Sequence, residues 1–439
     1  MTPLAFHRLR PVRLVGWSIA GTGAQVLFGG IVTVVLARAL EPAGLGLMGV
    51  FIAISLLLSQ VGELGLGTAY VRIASPRFKA NLNIRALTWN FLYVRLTAVT
   101  LLSAVAILLV RSRPSGSGGV ADVMIPAAIA AVLLAVASHY TEVLRARLLH
   151  RSAAVARTVM SGVRAIVYGA MMLNGTLDPR SAVAAYVLIA AAEAVTLVWL
   201  GQQGASNWPP AAVRIERNWM TLSWWLFLAS ASSVLLIQTD TIMIATLGGP
   251  FETGLWVAAS RLIAPAPLLL AAIWSVVLPV SVAFTDPATI ARYLRVCRRT
   301  SAASLVLGAV GVILVPPFLR LLFGAEYAGA SGAAMWLILA FGISGTAVMY
   351  GGLIHLLRLE RPLAALNVML LLVNAAGDFL VIPRFGAAGC GAVTALVLTV
   401  SSAWAMWRVE SSRAQLMGAG VPPRVLTPQS ARSPHGSPA

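Results

Sequence analysis

Charge is what this chain most lacks. Asp, Glu, Lys and Arg together supply 10% of its residues, where soluble globular chains carry about a quarter. Too few polar groups exist to cover a water-facing surface, and an ordinary soluble fold is excluded. Acids are the scarcer sign, 14 against 32 Lys plus Arg in 439 residues. Lysine is down to Lys79, which follows Phe78 rather than Gly, so there is no P-loop of the G-x-x-x-x-G-K-[ST] type. Cysteine is limited to Cys297 and Cys390. The topology derived below puts them on opposite sides of a bilayer, too far apart for a disulfide within one chain. No Asp-x-Asp occurs, and no His/Cys/Asp/Glu group has metal-ligand spacing. A catalytic reading therefore has little to stand on, and neither an enzyme, a cofactor nor a metal site is expected.

What the chain does have is apolar length. Hydrophobic residues make up 59% of it, with a mean hydropathy of +0.86. Lipid is the solvent that suits such side chains. A bilayer core of about 30 Å needs about 20 mostly apolar residues per helix. Runs of that kind predict spans at 14–37, 46–70, 86–110, 122–143, 155–174, 181–202, 219–247, 254–284, 300–323, 330–356, 362–382 and 388–407. The runs are continuous rather than alternating, and a spanning segment must satisfy its own backbone, so helices are expected. HRLRPVR followed by an apolar run imitates a secretory signal, with Ala37-Arg38-Ala39 as an apparent cleavage site. The run 14–37 is too long for a signal core and reads as the first span.

Arginine sets the orientation. Of the 32 basic residues, 23 fall at the N-terminus, in the even-numbered connectors and after the last span. Six fall on the opposite side, and Arg95, Arg164 and Arg261 lie within spans. Both termini are therefore expected in the cytoplasm. A net charge of +18 can signal nucleic-acid binding, but these bases sit between apolar runs, and no nucleic-acid partner is expected. No connector is long enough to fold by itself, the longest being 203–218.

Two halves are suggested by an echo. LARALEPAGLG (36–46) returns 208 positions later as IATLGGPFETG (244–254), aligning Ala37 with Ala245, Pro42 with Pro250, Gly46 with Gly254 and Leu47 with Leu255. Asp178-Pro179-Arg180 and Ile382-Pro383-Arg384 form a second echo. An even number of spans per half gives both halves one orientation, a parallel repeat about an axis along the membrane normal. The expected organisation is a cytoplasmic N-terminus (1–13), a six-helix lobe (14–202), a cytoplasmic linker (203–218), a second six-helix lobe (219–407) and a disordered cytoplasmic tail (408–439). Both copies of the quoted stretch become a short turn at the outer face.

Ionisable groups within spans are costly and face a bundle interior or a wet cavity. Arg95, Arg164 and Arg261 could grip phosphate oxygens, because a guanidinium stays charged and binds bidentately. The alternative is structural pairing. Counted from the turns, Glu63 matches Arg95 in depth, Glu193 matches Arg164, and Asp240 matches Arg261. Gln25, Asn90, Gln238, Asn367 and Asn374 could line a water-filled path or bond between helices. His139 reads as a satisfied interfacial histidine.

Four stretches carry a family resemblance: LARALEPAGLGLMGVF (36–51), GELGLGTAYVR (62–72), LLFGAEYAGAS (321–331) and NAAGDFLVIPRFGAAGCGAVTAL (374–396). In this order and spacing the chain resembles the polysaccharide transporter family. These are the O-antigen-type lipid-linked oligosaccharide flippases of the multidrug/oligosaccharidyl-lipid/polysaccharide (MOP) superfamily. The resemblance implies an all-α, two-lobed, V-shaped bundle of about twelve helices. It also implies movement of an undecaprenyl-diphosphate-linked repeat unit from the inner to the outer leaflet of a bacterial cytoplasmic membrane. Membrane lipids, a polysaccharide polymerase and glycosyltransferases are the partners it suggests. It favours Arg95, Arg164 and Arg261 as diphosphate ligands by type and depth. It makes Asp240 the candidate for coupling to a proton or sodium gradient, with Glu63 and Glu193 as further ion-coupling or charge-pair candidates. Asp378 departs from the family pattern, where a second Asn is frequent. Two other readings stay open: a cation-coupled drug exporter of the same superfamily, and a membrane component of polysaccharide assembly that does not transport.

Overall fold

A computed structural model of the chain describes residues 3–63, 65–79, 84–112, 120–203, 238–266, 270, 286–357 and 359–418. Outside them lie the proposed linker 204–218, the start of the seventh span with Trp219, Trp224 and Trp225, nearly all of 267–285, and the tail beyond 418. Every regular element among the described residues is helical: α1 Pro3–Val61, α2 Leu66–Lys79, α3 Arg85–Arg111, α4 Val120–Ala146, α5 His150–Leu173, α6 Pro179–Gln202, α8 Gly249–Ile263, α9 Pro287–Phe323, α10 Ser331–Leu356, α11 Glu360–Ser411 and α12 Arg413–Gly418. A helix over 238–247, here α7, precedes α8, and a 3₁₀ turn over Ala325–Ala330 links α9 to α10. Seven of the described helices are long and apolar enough to cross a membrane. The chain is thus a multi-pass, all-helical membrane protein.

Two of the longest helices are folded pairs. α1 turns at Glu41, whose φ of 57° and ψ of 174° leave the helical region, and Pro42 next in line cannot donate the N–H that would continue the ladder. α11 turns at Gly386, φ 54°, where the left-handed region suits glycine. These are the turns expected between the first and second, and the eleventh and twelfth, spans. One expected span is not continuous. The second helix ends at Val61 and restarts at Leu66, with Gly65 at φ 70°, because GELGLG places two glycines where the helix must be weakest.

The echo at 208 positions is a repeat of backbone as well as of sequence. Glu41 and Gly249, which correspond in register, both have positive φ, and each precedes the proline that starts the next helix. The last helix of each lobe is capped by a carboxylate, by different means. Asp178 accepts from the Ser181 N–H at 2.7 Å in a local capping box, whereas Glu252 reaches over from α8 to accept the Ala387 N–H at 2.8 Å.

Packing defines two unlike ends. At the end carrying Pro42 and Pro250, one core joins the lobes, with Leu36, Leu40, Leu45 and Met48 against Leu255, Trp256, Ala258 and Ala259. At the arginine-rich end each lobe keeps a core of its own, one around Tyr70, Leu87, Leu144 and Leu197, the other around Ile290, Leu294, Leu353 and Val409. The described part of the molecule is joined at the hairpin end and separate at the other. The chain past residue 408 is expected to be disordered but is helical as far as Gly418. Arg298 fixes it by donating to both oxygens of Glu410 at 2.8 and 2.6 Å, and Leu416 is buried in the second lobe's core.

Candidate functional site

A cavity of about 710 Å³ opens between the lobes. The two halves of α1 give it an apolar wall that includes Leu36, Met48 and Ile52. Its polar side chains include Gln25, Arg164, Gln238, Asp240, Arg261 and Thr394. The volume falls within the range typical of small-molecule sites, and a mostly apolar wall with a few convergent polar groups is the usual composition of one.

The three intramembrane arginines meet different fates. Arg95 does not line the cavity. Its side chain is 1% exposed and pairs with Glu63 at 3.1 Å, so the geometry keeps it from any ligand in this space. Arg164 does line it, with one face on the Tyr186 ring, 4.7 Å from the centroid, and its Nη2 3.5 Å from Glu193, which Arg157 approaches from the other side at 3.5 Å. Arg261 lines the cavity and is exposed to it. Among the described residues no carboxylate lies within 4.0 Å of it. The pairing with Asp240 expected from equal depth does not form.

Asp240 bonds instead within its own lobe. Asn374 bridges two acids, donating through Nδ2 to Asp240 at 2.7 Å and to Asp378 at 3.1 Å. Thr394 donates to the other Asp240 oxygen at 3.1 Å. Asp240, Asn374 and Asp378 are at most 2% exposed. The ligand atoms of Asp240, Asp378 and Cys390 lie within 4.8 Å of one another. Asn374 Oδ1 and Asp378 Oδ1 are buried without a donor among the described residues. Two carboxylates in a low-dielectric interior, with no Arg among the described residues beside them, must share a proton or hold a cation, and the orphaned acceptor oxygens offer a place for either. Asp240 and Thr394 also line the cavity, giving a cation an entry path. No sequence spacing brings these residues together. The cluster draws on α7 and on both halves of α11.

The remaining candidates divide. Gln25 and Gln238 line the cavity. Asn90 does not: it is exposed on α3. Asn374 belongs to the acid cluster. His139 is buried beside Tyr70 and Tyr140, with ring centroids at 5.3 and 5.5 Å. Asp378, Cys390 and Thr394 were the residues sequence reasoning did not select, and the departure at Asp378 was the available signal.

Fold and cavity together define a multi-pass, all-helical membrane protein with a cavity between two lobes. Residues 12–284 match the model of the polysaccharide biosynthesis protein family, and the chain belongs to that family. Among solved structures it is similar to an inward-facing multidrug resistance MATE transporter of the MOP superfamily, at 14% identity over 89% of this chain and 95% of that one, TM-score 0.68. An outward-facing MATE transporter gives 15% identity, 93% and 96% coverage and a TM-score of 0.62. The lipid II flippase MurJ, in an inward closed conformation, gives 14% identity, 92% and 90% coverage and 0.64. No curated protein sequence matches the chain.

Proposed function

We propose that the chain flips a lipid-linked oligosaccharide carrying a diphosphate across the cytoplasmic membrane, from the inner to the outer leaflet, by alternating access. A sugar–diphosphate head cannot cross about 30 Å of hydrocarbon unaided, while its isoprenoid tail can stay in lipid. Moving it requires a wet chamber with a cation in it, and no chemistry. The observation that carries this reading is Arg261, a guanidinium facing the inter-lobe cavity with no acid among the described residues on it. Arg164 lies on the same cavity and is held by Glu193, a pairing a diphosphate could loosen as it enters.

The acid cluster supplies the drive in this reading. A sodium ion or proton entering from the cavity would be held by Asp240, Asp378, Asn374 and Thr394, with the Cys390 sulfur beside them. Its charge would offset two carboxylates that otherwise face one another across a single amide. Family membership in polysaccharide biosynthesis and the likeness to MurJ, named as a lipid II flippase, support the lipid-linked glycan as substrate. Both termini would be cytoplasmic, and polymerase and glycosyltransferases would act before and after the flip.

A second reading, cation-coupled export of amphipathic drugs, is favoured by the acid cluster and the MATE likeness. Reconstitution separates the two. Purified protein in proteoliposomes should flip a fluorescent undecaprenyl-diphosphate glycan and do so faster under an inward sodium or proton gradient. Efflux of organic cations with no movement of the glycan would replace the first reading by the second.

A further inference from the structure

The repeat in the sequence meets itself in space. A Cβ added to Gly46 would overlap the Pro250 carbonyl oxygen, and one added to Gly254 would overlap the Pro42 carbonyl oxygen. Gly46 corresponds to Gly254 and Pro42 to Pro250, so each glycine of one lobe receives the proline carbonyl of the other. Gly49 packs on the side chain of Val257, its own counterpart at 208 positions. Neither Gly46 nor Gly254 has positive φ. Glycine is needed at both for close approach of two backbones and not for conformation, as at small-residue crossings in membranes. A contact that maps onto itself under exchange of lobes places the pseudo-two-fold axis through this crossing.

Polar bonds flank the crossing, and they too run between lobes. Arg38 donates through Nε to Leu322 O at 2.9 Å and through Nη2 to Leu321 O at 2.7 Å. These are among the last carbonyls of α9, left without partners by the end of the helix, where a cation is favoured. Tyr327, 1% exposed, donates to Ala37 O at 3.0 Å. Every acceptor in the set is a main-chain carbonyl.

We infer that this set forms the latch closing the cavity at the hairpin end, and that it must part for cargo to leave on that side. The inference rests on the alternating-access reading and identifies where that motion is held. The construction suits a reversible contact. The glycine crossing lets two backbones meet within the apolar core that joins the lobes, and the carbonyls that Arg38 caps would turn to water when the lobes separate. Glu41 adds to this: a non-glycine residue at φ 57° is strained, so the turn beside the crossing is held by its surroundings.

Accessibility of the cavity from the hairpin side tests the latch. Cys297 and Cys390 are both fully buried, so Ser260→Cys on the cavity wall can report labelling by a membrane-impermeant maleimide. In proteoliposomes with the hairpin face outward, Gly254→Ala and Gly46→Ala should each raise the labelling rate by about tenfold or more. Arg38→Ala, which removes two charged hydrogen bonds, should raise it by about tenfold, and Tyr327→Phe by about threefold. Unchanged labelling in folded Arg38→Ala and Tyr327→Phe protein would overturn the latch whatever the glycine variants do. Raised labelling in these variants, together with wild-type protein that moves no glycan under any gradient, would keep the latch and remove the transport reading.

Discussion

The two lobes share a topology and spend their membrane charges in opposite ways. In the first lobe the buried acids are matched to arginines, Glu63 to Arg95 and Glu193 to Arg164 and Arg157. In the second, Asp240 and Asp378 have each other and an asparagine, while Arg261 faces the cavity with no acid among the described residues within 4.0 Å. A charge already neutralised inside the protein has little left to offer a ligand. An unneutralised one inside a bilayer persists only where water or a ligand reaches it. On the proposed function, the difference assigns the first lobe chiefly to holding shape and the second to binding, an anion at Arg261 and a cation at the acid pair.

The strongest way to break this comparison is to remove the cation site. Asp240→Asn, or Asp378→Asn, should abolish stimulation of flipping by an imposed gradient, a loss of about 5- to 150-fold for a coupling of the usual size. Uncoupled flipping should continue at its basal rate. A variant that still responds fully to the gradient would show that the acids are structural, like those of the first lobe.

Arg261 comes next. Arg261→Ala deletes a charged donor pair worth about 1.5–3 kcal/mol, so flipping at limiting substrate should fall by about 10- to 100-fold. Arg261→Lys should recover part of it, because an ammonium keeps the charge and loses the bidentate fork. Arg164→Ala should cost less, since Arg164 is already committed to Glu193. Equal losses at the two positions, measured as initial rates across substrate concentrations, would erase the proposed difference between lobes.

The Glu63–Arg95 pair should affect stability and not transport. Breaking a buried pair from one side costs about 3–5 kcal/mol, and replacing both members by apolar residues is often near neutral. Glu63→Leu alone should lower Tm sharply, and Glu63→Leu with Arg95→Met should restore most of it with flipping intact. Tryptophan-fluorescence melts in detergent and the flipping assay together check this. A stable double variant that no longer flips would move Arg95 from the frame into the mechanism.

How much of this was legible in the sequence follows from what each feature depends on. Helix pairs adjacent in the chain can be matched by depth alone, and Glu63 with Arg95 and Glu193 with Arg164 are such pairs. Asp240 lies 134 residues from Asn374, and their meeting depends on how α7 packs against α11, which no count along the chain reveals. Asn90 shows a second limit. A helix apolar on every side carries little information about which face turns inward, so a polar residue can be placed at a depth and not at an azimuth. The turn at Pro42 and Pro250 was legible because proline and glycine act through the local backbone. That the two copies touch was not, because contact between repeats belongs to the tertiary fold.

The lobes differ finally in how their last helices begin, and here the smallest effect is expected. Asp178 is solvent-exposed, and the hydrogen bonds from Ser181 hold its carboxyl below the usual carboxylate range. A carboxyl whose folded value is depressed stabilises the fold fully above its unfolded value, about 3.9. That contribution is lost as pH falls through the folded value. Wild-type protein should therefore shed a small part of its Tm as pH drops below about 4, and Asp178→Ala should lack that part. Asp286 caps α9 in a similar way, so the comparison must be the difference between wild type and variant and not the acid limb itself. The twin cap should behave otherwise. Glu252→Gln keeps a carbonyl oxygen able to accept the Ala387 N–H, and its Tm should stay near that of wild type at neutral pH. If Asp178→Ala instead melts in parallel with wild type at every pH, its capping box adds nothing measurable, and the two lobes start their last helices on equal terms.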